Sequence, residues 1–314
     1  MVDKLNANPY YYRISGLNVA SEIPLPMRLP LQSTGDLKVD VTFCLGDVPK
    51  QLDHSTHRGA NWMANKNQFL LDLPHIGRFL AYDGCRLIIC PASGIAVDDI
   101  LVFATGTALA GILYQRGAWL LHGSAVLDSG RAFMFCGPSG AGKSTLAGAL
   151  SRNGCDFLAD DVCSVEQSES GHTLIQPDGR VLRLYNDSIA QIGLAEAVGS
   201  RVRQRIEKFH VIPPGKATSG LEPAPLAAIY ILADANTAFP SAITLLSPLT
   251  AAQALLHQTY RRQLALAYCN QGNLVARTAA LLSEIPVFLF HRPHDFVHLN
   301  ETLARLRAHW DELL

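Results

Sequence analysis

Nine consecutive residues, Gly137-Pro138-Ser139-Gly140-Ala141-Gly142-Lys143-Ser144-Thr145, carry the densest chemical signal in this chain. They fit G-x-x-x-x-G-K-[ST], a loop whose glycines let main-chain N–H groups turn inward around phosphate oxygens. The loop needs a buried strand before it and a helix after it, so that the helix N-terminus adds partial positive charge. The apolar run 131–136 and the helical stretch opening at 146–150 meet that need. Gly137, Ser139, Gly140, Ala141, Gly142, Lys143, Ser144 and Thr145 are therefore the expected nucleotide-binding set. Lys143 is expected on the β/γ-phosphates of ATP, and the Ser144 hydroxyl on Mg²⁺.

Two further features lie close by. Asp160-Asp161 follows the apolar run 157–159. In enzymes with such a loop, a carboxylate ending a neighbouring strand faces the γ-phosphate, where it holds Mg²⁺ or takes a proton. Adjacent aspartates on an extended segment point to opposite sides, so only one faces the nucleotide unless the chain turns there. The plain alternative is a turn marker after a strand. His122-Gly123 sits within the apolar stretch 119–127; it reads either as a hydrogen-bonded core histidine or as a phosphate neighbour with a proton-transfer role. His172, His210, His257, His291, His294 and His298 have no metal-site spacing. The basic run Arg201-Val202-Arg203-Gln204-Arg205-Ile206-Glu207-Lys208 reads as a solvated helix face, or as charge that neutralises phosphate or an acidic peptide.

The elements that must hold these residues alternate in type. Residues 12–17 and 39–44 alternate like half-buried strands, and 69–73, 78–82 and 86–90 form an antiparallel meander, whereas the prolines of 22–26 exclude a central strand. A helix is expected over 98–116, capped by Asp98 or Asp99 and stopped by Gly117. Beyond it, strands at 119–127, 131–136, 157–159, 162–166, 227–233 and 287–290 alternate with helices from the loop to about 153 and over 250–268, 273–283 and 295–310. A mobile loop is expected over 213–225. With 48% hydrophobic and 17% charged residues in 314, the chain can bury a core, and a net charge of −1 gives no pull toward nucleic acid or an anionic membrane. Seven cysteines with no C-x-x-C pair suggest neither zinc nor a disulfide framework, and imply a reducing compartment, hence the cytoplasm. The first residues lack a signal-peptide core, and the apolar run 100–114 is short for a bilayer.

His122-Gly123, the glycine loop and Leu158-Ala159-Asp160-Asp161-Val162 together resemble the catalytic core of bacterial HPr kinase/phosphorylase, with His122 21 positions before Lys143 and Asp161 18 after it. The resemblance is tight over 118–166 and loose beyond. It implies an α/β P-loop kinase domain of the phosphoenolpyruvate carboxykinase/HPr kinase type over 99–314, preceded by a smaller β-rich domain over 1–98. Carried over, Asp161 accepts the proton of the incoming hydroxyl, His122 sits by the phosphates, Lys143 grips them, and Ser144 and Asp160 hold the metal. Thr145 stands where the family usually has Glu, and no Glu-x-Arg-Gly-x-Gly segment follows; Asp187 and Glu207 are the carboxylates in that neighbourhood. The pattern is similar to divergent relatives that phosphorylate a serine of a ribosomal precursor peptide, as in lasso-peptide maturation. The expected partners are ATP, Mg²⁺ and a peptide or protein carrying a serine, with a homo-oligomer implied by the family. A small-molecule kinase and a nucleotide-binding regulatory module are the competing readings.

Overall fold

A computed structural model describes residues 9–27, 30–31, 37–203, 206–214, 222–235 and 241–313. It is a mixed α/β structure with several sheets. The N-terminal sheet runs, in spatial order, Pro30–Leu31, Tyr10–Ile14, Leu17–Ser21, Val41–Leu45, Arg86–Pro91, Gly77–Tyr82, Gln68–Leu73, Trp62–Ala64 and His57–Arg58. The expected meander is present as antiparallel neighbours. Residues 12–17, expected as one strand, instead form the corner of a hairpin. Ser15 and Gly16 take left-handed conformations (φ 48° and 79°) and turn the chain between two strands.

The apolar helical stretch from Val97 to Gln115 packs on this sheet, and its central turn, Ala104–Ala108, is π-helical. Asp98 and Asp99 do not cap it: Ala96 holds the cap position, and Asp99 pairs with Arg203 at 3.3 Å. Gly111 lets the helix approach closely, since a Cβ there would lie 2.4 Å from Cδ1 of the buried Phe69. Among the described residues this is the one helix long and apolar enough to cross a membrane, and 72% of its apolar window is buried inside the protein. One apolar cluster joins Phe43, Phe69, Phe79 and Ile112 to Leu120, Val162, Tyr260 and Leu264 from later in the chain.

The second sheet is built around three parallel strands, Arg131–Cys136, Ala224–Asp234 and Val287–Arg292, whose carboxyl ends lie together. Gly123–Asp128 pairs with Arg131–Cys136 through a turn at Ser129 and Gly130, and Asp156–Asp160 lies beyond it. Helix Lys143–Arg152 follows the loop and ends at Asn153-Gly154, as the sequence reading expects.

Two continuous elements expected from the sequence are broken. The stretch 119–127 splits at His122 into Trp119–Leu121, paired with Cys163–Gln167, and Gly123–Asp128, paired elsewhere. The stretch 250–268 is two helices, Pro248–His257 and Arg262–Tyr268, separated by a turn with Arg261 at φ 47°. The closing helix starts only at Leu299. The basic run is not a helix face: it lies on the antiparallel strands Val198–Arg203 and Ile206–Val211, with Gln204 and Arg205 outside the described residues. Of the expected loop over 213–225, residues 215–221 are also outside them, and Ala224 already belongs to a strand.

Candidate functional site

Strand Arg131–Cys136 delivers the chain into the glycine loop, and Gly142 starts the helix from a left-handed conformation (φ 78°). A side chain there would be strained, and its Cβ would lie 2.5 Å from Arg292 Nη2. The first-turn N–H groups of Lys143, Ser144 and Thr145 have no helical partner and face the end where an anion is favoured. The Lys143 side chain is buried, and its Nζ donates to the carbonyls of Gly137 and Pro138, each at 2.9 Å. An ammonium has three protons, so one is left for an incoming oxygen. Burial lowers the Lys143 pKa, against the pull of Cys136, Asp160 and Asp161.

Asp160 and Asp161 are set differently, although they are neighbours. Asp160 is buried at the end of its strand; its Oδ1 accepts from Ser124 Oγ (2.6 Å), its cross-strand partner, and from Ser144 Oγ (2.7 Å). Its Oδ2 accepts from the Arg183 N–H at 3.3 Å. Asp161 adopts a left-handed φ of 73°, a conformation open mainly to glycine, asparagine and aspartate. That turn removes the alternation of an extended chain, and both carboxylates face one cavity.

The Asp161 side chain is about one third exposed, with Arg183 Nη2 3.6 Å from Oδ2 and His122 Nδ1 3.4 Å from Oδ1. His122 Nδ1 also lies 2.9 Å from the Asp161 carbonyl, an oxygen that can only accept, so Nδ1 carries a proton and donates there. Burial pushes the Asp161 pKa up, but the His122 hydrogen bond and the Arg183 and Arg180 charges outweigh it and hold the carboxyl below the usual range. It is ionised at neutral pH and able to accept.

The cavity has a volume of about 360 Å³. Ser139, Gly140, Gly142, Lys143, Ser144 and Thr145 form one wall, and Asp160, Asp161 and His122 another. Gly137 and Ala141, also expected as contacts, belong to the loop but do not line this cavity. The Gly137 N–H donates to Gln258 Oε1 (3.3 Å), and the Ala141 carbonyl accepts from Arg292 Nη2 (2.6 Å). Asp187 and Glu207 are exposed, and neither lines the cavity. A separate cavity of about 480 Å³ beside Arg116, Trp119 and Arg277 contains none of these groups.

Three contributors escape sequence reasoning. Arg183 reaches both aspartates from strand Leu182–Tyr185. Arg292, buried at the end of a parallel strand, holds the loop and has an Nε with no partner. Gln258, in the helix break, accepts the His122 N–H on its carbonyl (2.7 Å) and the Gly137 N–H on its side chain, so it ties the histidine to the loop. No motif spacing marks any of them; the only advance sign is that Arg183 interrupts the apolar run 181–185, while Gln258 and Arg292 have polar neighbours and no such sign.

Ser144 Oγ and Asp160 form an all-oxygen pair at hydrogen-bonding distance, which suits Mg²⁺, an ion that takes few protein ligands and keeps waters and phosphate oxygens. Among the described residues no cluster of three or more His, Cys, Asp or Glu forms a protein-only metal cage.

No family model and no curated protein matches this chain. Among solved structures, the HPr(Ser) kinase/phosphatase from Coxiella burnetii aligns over 62% of this chain and 98% of that one, at 14% identity and a TM-score of 0.33. The likeness is weak.

Proposed function

We propose that this chain is an ATP-dependent kinase that transfers the γ-phosphoryl group to a serine of a peptide or protein, a ribosomal precursor peptide being one such acceptor. One observation supports it above the others: the left-handed turn at Asp161 gathers two carboxylates, Lys143 and Ser144 around one cavity at the carboxyl ends of parallel strands. The loop amides and Lys143 bind the triphosphate. Ser144 and Asp160 would hold Mg²⁺, which would supply neutralisation of phosphate charge.

Asp161 orients the serine hydroxyl and takes its proton. The serine Oγ forms a bond to the γ-phosphorus, the bond from that phosphorus to the β–γ bridging oxygen breaks, and ADP leaves with the electron pair. A carboxylate of lowered pKa is a weak base, so its main contribution is alignment, with the proton passing late, as a loose transition state allows. Arg183 and His122 keep Asp161 ionised and aimed. Arg292 fixes the loop from behind. The seven free cysteines suit a reducing cytoplasm, where ATP is present.

The test uses γ-labelled ATP with Mg²⁺, the full chain and serine peptides. Mg·ATP should raise the Tm of wild type and of Asp161→Asn alike, while the variant transfers label about 10²- to 10⁴-fold more slowly. Transfer by Asp161→Asn at wild-type speed removes the proton-acceptor role. A wild-type Tm indifferent to Mg·ATP removes the nucleotide site itself.

A further inference from the structure

The cavity under the glycine loop shares part of its lining with a second space. His122, Ser139, Asp161 and Arg183 line both, and the second cavity has a volume of about 490 Å³. Gly106 and Thr107 of the π-helical turn and the 258–261 helix break wall that second space. A third cavity, of about 310 Å³, shares Phe103, Thr107 and Arg261 with the second and extends onto the N-terminal sheet at Trp62 and Leu73. Both of those side chains are half-buried, and the Trp62 ring leans on Phe69 with centroids 6.1 Å apart.

The charge along this path is one-sided. Arg183, His257, Arg261 and Arg262 line the second and third cavities, and among the described residues the only carboxylate there is Asp161 itself. Arg261 is held in a left-handed conformation, which a residue with a Cβ keeps only when its surroundings impose it.

We infer that the second and third cavities are the acceptor cleft, and that the acceptor is an acidic peptide segment. Its serine lies at Asp161, its carboxylates lie against Arg261 and Arg262, and an apolar side chain rests on Trp62 and Leu73. The inference rests on the kinase reading and deepens it. A small acceptor would fill only the space beside Asp161 and leave the path to the sheet without use. An extended chain, advancing about 3.3 Å per residue, follows it. Because the path leaves Asp161 in one direction, the acidic and apolar determinants fall on the same side of the serine in the peptide.

A positional-scanning serine-peptide library, offered to the full chain with Mg·ATP, reads this directly. Wild type should select Asp or Glu near the serine and an aromatic or large aliphatic residue farther out, on one side only. Arg261→Glu/Arg262→Glu should lower kcat/KM for acidic peptides at least about tenfold and shift selection toward Lys and Arg, a gain that a misfolded protein cannot show. If that double variant is inactive, Arg261→Gln serves instead and should lose acidic selection. Trp62→Ala should lose the apolar selection and keep the acidic one. Label on serine without acidic selection, or unchanged selection in the arginine variants, overturns the cleft and leaves the kinase standing. Label on no peptide overturns both.

Discussion

His210 shows how burial sets charge near this site. It lies across from Arg183 in the strand pair Leu182–Tyr185 and Ile206–Val211, and its Nδ1 is buried with no partner. Burial, with the Arg183 charge adding to it, lowers its pKa to about 4. The unfolded chain therefore takes up this proton first as pH falls. Stability should decline from the ordinary histidine range near 6.5 down to about 4 and then level off. Thermal melts between pH 7 and pH 4 should show a steeper loss in wild type than in His210→Gln. Parallel curves would mean that His210 pays no burial cost. Asp160 is the counter-example: also buried, it has three donors around it. The sequence displayed both residues and neither environment, because the partners come from other strands.

At the level of elements, the helical stretch from Val97 to Gln115 was legible and its detail was not. Apolar periodicity marks the helix, and Gly117 (φ 81°) stops it. The π turn is a tertiary matter: the Thr105 carbonyl accepts Arg180 Nη1 at 2.8 Å, a donor from 75 positions away. Gly111 reads in sequence as a mild helix weakener, about 1 kcal/mol worse than alanine. Its neighbour reverses the sign. With Phe69 in the way, Gly111→Ala should lower stability by about 1–3 kcal/mol through overpacking, partly offset by that propensity gain. Urea unfolding checks it, and a stabilised variant would place the helix farther from the sheet. The breaks at His122 and at 258–261 follow the same logic. Both stretches satisfy a continuous pattern locally, but long-range hydrogen bonds between them favour the interruption.

Across the whole molecule, the segment 178–180 joins parts distant in sequence. Arg180 Nε donates to both Asp178 oxygens at 2.7 Å, Nη1 to Thr105, and Nη2 to the Val162 carbonyl (3.4 Å), one residue past Asp161. At Gly179 a Cβ would lie 2.0 Å from the Arg13 carbonyl, so the N-terminal sheet presses directly on this segment. Burial works against the Arg180 charge, but Asp178 and Asp161 outweigh it and hold its pKa above the ordinary arginine value. Arg180→Met would strand the Asp178 carboxylate and should cost about 3–5 kcal/mol. Adding Asp178→Asn should recover much of that in denaturant unfolding; no recovery would show that Arg180 acts through its other contacts.

The sequence alone marked residues 137–145 as a candidate phosphate-binding loop between a strand and a helix, because glycine conformations, an apolar strand and a following helix are set over a few residues. It also presented Asp160-Asp161 as carboxylates that a neighbouring strand would carry. Only the tertiary structure decided that both face the cavity, through a left-handed φ that no pattern announces. It likewise brought Arg183, Gln258 and Arg292 to the loop from separate strands and turns. Contacts across such separations depend on how sheets pack, and packing leaves no spacing in the chain to read.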